Sequence, residues 1–242
     1  MTEPRDQPLN LAPASVMDYR DLARRKLPRQ LFDYIDGGAY AESTMRANVG
    51  DLREIHLRQR ILRDVSDIDL SAEVLGESLS LPVILGPVGL AGMFSRRGEV
   101  AAARAAEQEG IRFCESTVSI CSIEEVEAAT GVPFWFQLYV MRDRGYAEAL
   151  MGRARNAGCS TLVLTVDLAV VGARYRDTRN GMMDTISGAK KLVRAWDILS
   201  HLGWVRDVAV RGKPLTFGNL EAAVPGARSP AGFKDWVDGQ FD

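Results

Sequence analysis

An α/β fold built on a parallel sheet is what this 242-residue sequence predicts, and its rhythm carries the prediction. Four short apolar runs, LPVILGP (81–87), RFCEST (112–117), PFWFQLY (133–139) and TLVLTVD (161–167), recur at intervals of roughly 20 to 30 residues, with helix-forming segments between them. Strand, helix, strand at that spacing requires right-handed crossovers, which lay neighbouring strands parallel. A closed barrel and an open doubly wound sheet both have this pattern.

The elements follow in order. MDYRDLARRKLPRQLFDYIDGGAY (17–40) predicts two short helices, the second ended by Gly37 and Gly38, and the stretch from Ile55 to Leu81 alternates enough for hairpins that would cover one end of the sheet. The first apolar run is continuous and ends in Gly86-Pro87, as in a strand buried on both faces. EVAAARAAEQEG (99–110) is an alanine-rich helix stopped by Gly110. SIEEVEAATG (122–131) opens with Ser122 and has Glu125 three residues on, a capping box. YAEALMGRARNAG (146–158) gives the third helix. After Asp167 the rhythm is lost, and only KKLVRAWDILSHL (190–202) keeps helical spacing, with Leu192, Trp196 and Leu199 on one side. The expected organisation is a helix-and-hairpin cap over 1–80, four β/α units over 81–176, and a long loop or lid over 177–242.

Composition excludes several classes of function. Thirty basic and 32 acidic residues leave a net charge of −2 with no basic block, so nucleic acid is not an expected partner. Cys114, Cys121 and Cys159 form no CxxC pair and leave an odd thiol, which argues against a zinc site or a disulfide framework and for a reducing compartment. No signal pattern opens the chain, and its longest apolar run, LPVILGPVGLAGMF, is too short and too broken to span a bilayer. The expectation is a cytoplasmic protein.

Polar residues intrude where strands end. In parallel α/β folds the loops after the strands open onto the functional crevice. Pro87, Val88 and Gly89 follow the first strand, Ser116 and Thr117 end the second, Gln137 and Tyr139 the third, and Thr165 and Asp167 the fourth. Residues two apart in a strand share a face, so each of the last two pairs points one way. A hydrogen-bonded polar layer inside a barrel would account for any one of them. Asp167 asks for more, because a carboxylate in an apolar strand is costly without a partner.

FDYIDGGAY, GPVGLAGMF, STVSICSIEEV, WFQLYVMRDRG, LTVD and GARYRD, in this order between about Ser15 and Met182, resemble the FMN-dependent 2-hydroxy acid dehydrogenases and oxidases. Within that family the likeness is greatest to bacterial L-lactate dehydrogenases, then to mandelate dehydrogenases and glycolate oxidases. The resemblance implies a (β/α)8 TIM barrel with FMN across the mouth at the strand C-termini, and oxidation of a small L-2-hydroxy acid such as L-lactate. Electrons would pass to a quinone or another acceptor. It also implies a homo-oligomer when full length and peripheral contact with the cytoplasmic face of the inner membrane. KKLVRAWDILSHLGW, two lysines and an arginine beside an apolar stripe, could supply that contact or serve as a lid.

The resemblance also implies roles. Pro87, Val88, Gly89, Ser116, Gln137 and Thr165 would meet the flavin ring, whose carbonyl and imide edges suit uncharged donors and acceptors. Tyr34 and Tyr139 would hydrogen-bond the substrate and Arg174 would hold its carboxylate by a bidentate fork. Otherwise Tyr34 reads as a core residue beside Phe32, and Arg174 as a solvated charge in RYRDTR. Asp167 would orient a histidine that takes the hydroxyl proton. The family's histidine, with a lysine and a second arginine, lies in the later half of the barrel, whereas the histidines here are His56 and His201. About 75 residues follow Asp167, too few for four more units of about 28, so the chain is expected to be an N-terminal half-barrel. A flavin-site remnant without turnover is the alternative.

Overall fold

A computed structural model describes residues 12–167, 172–182 and 188–221. Two helices open the described chain, α1 (Val16–Lys26) and α2 (Arg29–Asp36). Ser15 starts α1 through a capping box with Asp18, and Pro28, which cannot continue a helix that needs its N–H, separates α1 from α2. A third helix, α3 (Ser43–Arg53), follows Gly38. The stretch expected to form hairpins holds a single antiparallel one, β1 (Ala72–Val74) with β2 (Glu77–Leu79).

The β/α units come next, as the spacing predicts: β3 (Ile84–Leu85), α4 (Ala91–Phe94), α5 (Gly98–Gln108), β4 (Arg112–Ser116), α6 (Ile123–Glu127), β5 (Trp135–Tyr139), α7 (Arg144–Asn156) and β6 (Thr161–Thr165). The four strands form one sheet in the order β3-β4-β5-β6, parallel throughout. Ser122 and Glu125 cap α6 reciprocally, and Gly110 ends the turn after α5 at φ +66°, where a side chain would be strained.

The register sorts side chains by face. Ser116 is level with Gln137, and Tyr139 with Thr165, so these four point to one side. Phe113, Phe136 and Leu138 point to the other, against Ala103 and Ala106 of α5, Ile123 and Val126 of α6, and Leu150 and Ala154 of α7. Phe136 is fully buried there, worth roughly 1.5–3 kcal/mol of transfer free energy. The outer strands differ from expectation. Val83 is 48% exposed, so the first run is not buried on both faces, and Leu162 and Leu164 of β6 are 46% and 54% exposed on the side where α5 to α7 cover the other strands.

The two ends of the sheet are closed differently. At the strand N-termini the hairpin reaches in through Glu77, which accepts from Arg112 Nε and, at 3.0 Å, from Trp135 Nε1. At the C-termini stands a second apolar cluster of Leu27, Leu31, Phe32, Trp204 and Val208, and Trp204 Nε1 donates 2.8 Å to the Met93 carbonyl. Beyond β6 the chain is more helical than its sequence indicates: α8 (Tyr175–Asn180), α9 (Ala189–Ser200) and α10 (Leu202–Trp204), which runs into a wider π-type turn over Val205–Val210.

The chain then returns to the sheet at Asn219. This residue is fully buried. It donates 3.1 Å to Glu115 Oε1 and accepts 2.9 Å from Ile123 N–H, while its carbonyl accepts from Tyr146 and Arg153. Glu115 is on the helix side of β4, also fully buried, and its Oε2 has no partner among the described residues. Burial drives its carboxyl well above the usual carboxylate range, opposed by the Asn219 hydrogen bond and helped by the nearby Glu99.

Candidate active site

A row of hydrogen bonds crosses the strand ends. Ser116 Oγ donates 3.1 Å to Gln137 Oε1, and Gln137 Nε2 donates 2.7 Å to Thr165 Oγ1, joining β4, β5 and β6. Thr117, which the sequence places at a strand end without assigning it a role, braces the row from below. Its hydroxyl donates 2.6 Å to the Gln137 carbonyl and accepts 3.1 Å from Tyr139 N–H. Ser116 and Gln137 are buried and Thr165 is half-buried, so the row is open only at its Thr165 end. Gly89 adjoins it. A β-carbon there would lie 2.7 Å from Val118 Cγ2 and 3.9 Å from Ser116 Oγ, so the bare backbone keeps this corner clear. Pro87 and Val88 are exposed beside it.

The second half of the site comes from outside the sheet. Tyr34 on α2 stacks on Phe94 of α4 with ring centroids 6.4 Å apart, and the Arg174 guanidinium lies 4.9 Å from the centre of the Tyr34 ring. Arg174 donates Nε to Asp177 Oδ2 at 2.5 Å and Nη2 to the Tyr34 carbonyl. Arg174 is therefore tethered, and the reading of it as a solvated charge in RYRDTR is corrected. The fork toward a substrate is narrower than expected, since the Nε side is occupied within the protein.

Burial raises the Tyr34 hydroxyl above its usual range, opposed by Arg174 and helped by Asp177. Burial also raises Tyr139, with further pushes from the charges of Asp167 and Tyr34. Tyr34, Tyr139 and Asp167 thus share one electrostatic neighbourhood at the mouth. Both phenols stay protonated at neutral pH and can donate.

Asp167 is not buried. It lies two residues beyond the end of β6 and is exposed, because β6 is the outer strand of the described sheet and nothing in the described residues covers its end. The desolvation argument for a partner therefore fails, although the residue stands where the motif requires. Neither histidine shares its position: His56 is exposed after α3, and His201 ends α9 with Nδ1 2.6 Å from the Asp197 carbonyl.

Asp177 and Phe94 escaped the sequence reading. A carboxylate three residues after Arg174 on a short helical turn was the available signal for Asp177. Phe94 could be found only through its contact with Tyr34.

A polar row of hydroxyls and a carboxamide, two protonated phenols and a tethered arginine set uncharged donors and acceptors beside one directed cation. A family model described as FMN-dependent dehydrogenase matches residues 23–242. L-lactate dehydrogenase of Caulobacter vibrioides (strain NA1000 / CB15N) is 52% identical over 229 residues, which are 95% of this chain and 59% of the relative. L-lactate dehydrogenase of Ectopseudomonas mendocina is 52% identical over 225 residues, 93% of this chain and 59% of the relative.

Among solved structures, a monotopic membrane protein, (S)-mandelate dehydrogenase, aligns with a TM-score of 0.82 at 35% identity, covering 94% of this chain and 59% of that one. A mandelate oxidase with (S)-4-hydroxymandelic acid aligns at 0.74 and 30% identity, covering 95% and 57%. The chain spans 59% of the length of the curated relatives named here. It belongs to the FMN-dependent dehydrogenase family.

Proposed function

We propose that this chain supplies the flavin-ring face and part of the substrate face of an FMN-dependent enzyme that oxidises a small L-2-hydroxy acid, L-lactate first among them. The observation that supports this best is the row Ser116–Gln137–Thr165 beside the clear corner at Gly89. These residues, with the backbone of Pro87 and Val88, would hold the ring by neutral hydrogen bonds that leave its charge unbalanced in neither direction. When bound, FMN supplies an acceptor for two electrons and the hydrogen on the substrate carbon, and a quinone or another acceptor would then reoxidise it.

The chain's own residues bind and orient. Arg174 presents its remaining N–H groups to the substrate carboxylate, while the Tyr34 and Tyr139 hydroxyls, kept protonated by burial, donate to substrate oxygens. Asp167 offers a carboxylate at the rim to orient and stabilise a protonated base that neither His56 nor His201 provides. The likeness to (S)-mandelate dehydrogenase supports a second reading, in which the same surface serves an aryl 2-hydroxy acid.

The test uses the full-length protein. It should purify yellow and lose its flavin absorbance under L-lactate in the absence of oxygen. Arg174→Met should weaken apparent binding by about 2 kcal/mol or more, roughly 30-fold in KM. Bleaching by (S)-mandelate and not by L-lactate would select the second reading. A full-length protein that binds FMN and is bleached by neither acid would overturn both.

A further inference from the structure

Arg174 does not reach the mouth by chance of rotamer. Three contacts fix its guanidinium: Nε on Asp177 Oδ2 at 2.5 Å, Nη2 on the Tyr34 carbonyl, and its flat face over the Tyr34 ring at 4.9 Å. The Asp177 side chain is 1% exposed and that of Arg174 is 30% exposed, so the pair is anchored at the carboxylate end and open at the guanidinium end. Asp177 in turn is held by its backbone, whose carbonyl accepts from Met182 N–H at 3.0 Å. Its other oxygen, Oδ1, is buried without a partner among the described residues.

Charge adds a constraint on what the pair is for. Asp177 offsets the charge of Arg174, and the negative charge of Asp167 acts at the same mouth. Recognition of a carboxylate here rests on directed N–H groups. We propose that Asp177 is a positioning residue that aims the Arg174 guanidinium at the substrate carboxylate, an inference that rests on the oxidation of a 2-hydroxy acid proposed above.

Two accounts of Asp177 make opposite predictions. If it acted only through its charge, removing a negative group beside an anionic substrate would tighten binding. If it positions, removal releases Arg174 and binding weakens. Asp177→Ala in the full-length enzyme should raise KM for L-lactate by about 10- to 100-fold, as small misplacements of a binding group do, with kcat changed much less. Inhibition by lactamide, the uncharged analogue, should be unaltered. In an Arg174→Met background the same substitution should have no further effect on KM, because there is nothing left to aim.

Should Asp177→Ala not fold, Asp177→Glu carries the test, since it keeps the charge and displaces the carboxylate by one methylene. KM for L-lactate should still rise and the lactamide constant should not. An unchanged or lower KM in the variant that folds, equal weakening of lactate and lactamide, or full additivity with Arg174→Met overturns the proposal. A wild-type protein that is not reduced by L-lactate or by (S)-mandelate would instead mark the failure of the functional reading beneath it.

Discussion

Replacing Gln137 by leucine removes the centre of the polar row at nearly constant volume. Three side-chain contacts go: the acceptor for Ser116 Oγ, a 3.4 Å contact to Thr117 N–H, and the donor to Thr165 Oγ1. Their losses are unequal. Thr117 N–H keeps its 3.1 Å bond to the residue 137 carbonyl, and half-buried Thr165 can turn to water. Ser116 is buried and loses the acceptor for its hydroxyl, which costs about 1–3 kcal/mol, and the exchanged Thr165 bond adds about 1 kcal/mol. The expected destabilisation is therefore about 2–4 kcal/mol, most of it at Ser116.

Urea unfolding of the full-length protein, followed by tryptophan fluorescence, would measure the difference, and the flavin-to-protein absorbance ratio would report the ring site. Gln137→Leu should lower both, and adding Ser116→Ala should recover part of the stability by removing the orphaned hydroxyl. A single variant as stable and as yellow as wild type would show that the row carries neither load.

Two further outcomes follow from other parts of the molecule. Glu115 keeps its proton in the folded state at pH values where an unfolded glutamate, titrating near about 4.3, has lost it, so it draws stability down as pH rises above that point. Glu115→Gln keeps an acceptor for Asn219 and should raise the thermal midpoint at neutral pH, with the gain fading below about pH 4; a gain that grows toward low pH would contradict this. The exposed stripe of α9, with Leu192, Trp196 and Leu199 each more than half exposed beside Lys190, Lys191 and Arg194, should hold the full-length protein on anionic vesicles in a salt-sensitive way. Leu192→Ser with Trp196→Ser should abolish flotation; unchanged flotation would exclude the stripe.

Local signals read well from the sequence. Ser122 and Glu125, Gly110, and the four apolar runs encode their own conformations within a few residues, and the sheet follows from their spacing. What depended on distant contacts did not. α3 has Met45, Val49 and Leu52 at helical spacing but begins at Glu42 in the left-handed region with no side-chain cap and contains Gly50, so its start signal is absent. α8 is six residues long, too short for periodicity to register, and its burial of Asp177 is decided by α2. The degree to which Asp167, Val83 and Leu164 would be covered depends on neighbours on the outer sides of the sheet, which no local pattern encodes.

The joint between α2 and α8 has a consequence for how the site comes into being. Arg174 meets the Tyr34 carbonyl across 140 residues, and Arg176 spans a similar distance to Asp36 and Glu42 at 2.8 and 2.7 Å. The strands between pair with neighbours in the chain, so the sheet can grow as a ribosome delivers it, with Asn219 closing over Glu115 and Ile123 last. Tyr34, made early, must wait through all of that growth for residues 174 to 177 to emerge. Ser116 and Gln137 are thus early products of biosynthesis, whereas Thr165 and Arg174, nine residues apart, complete the polar row and the corner beside Tyr34 almost together.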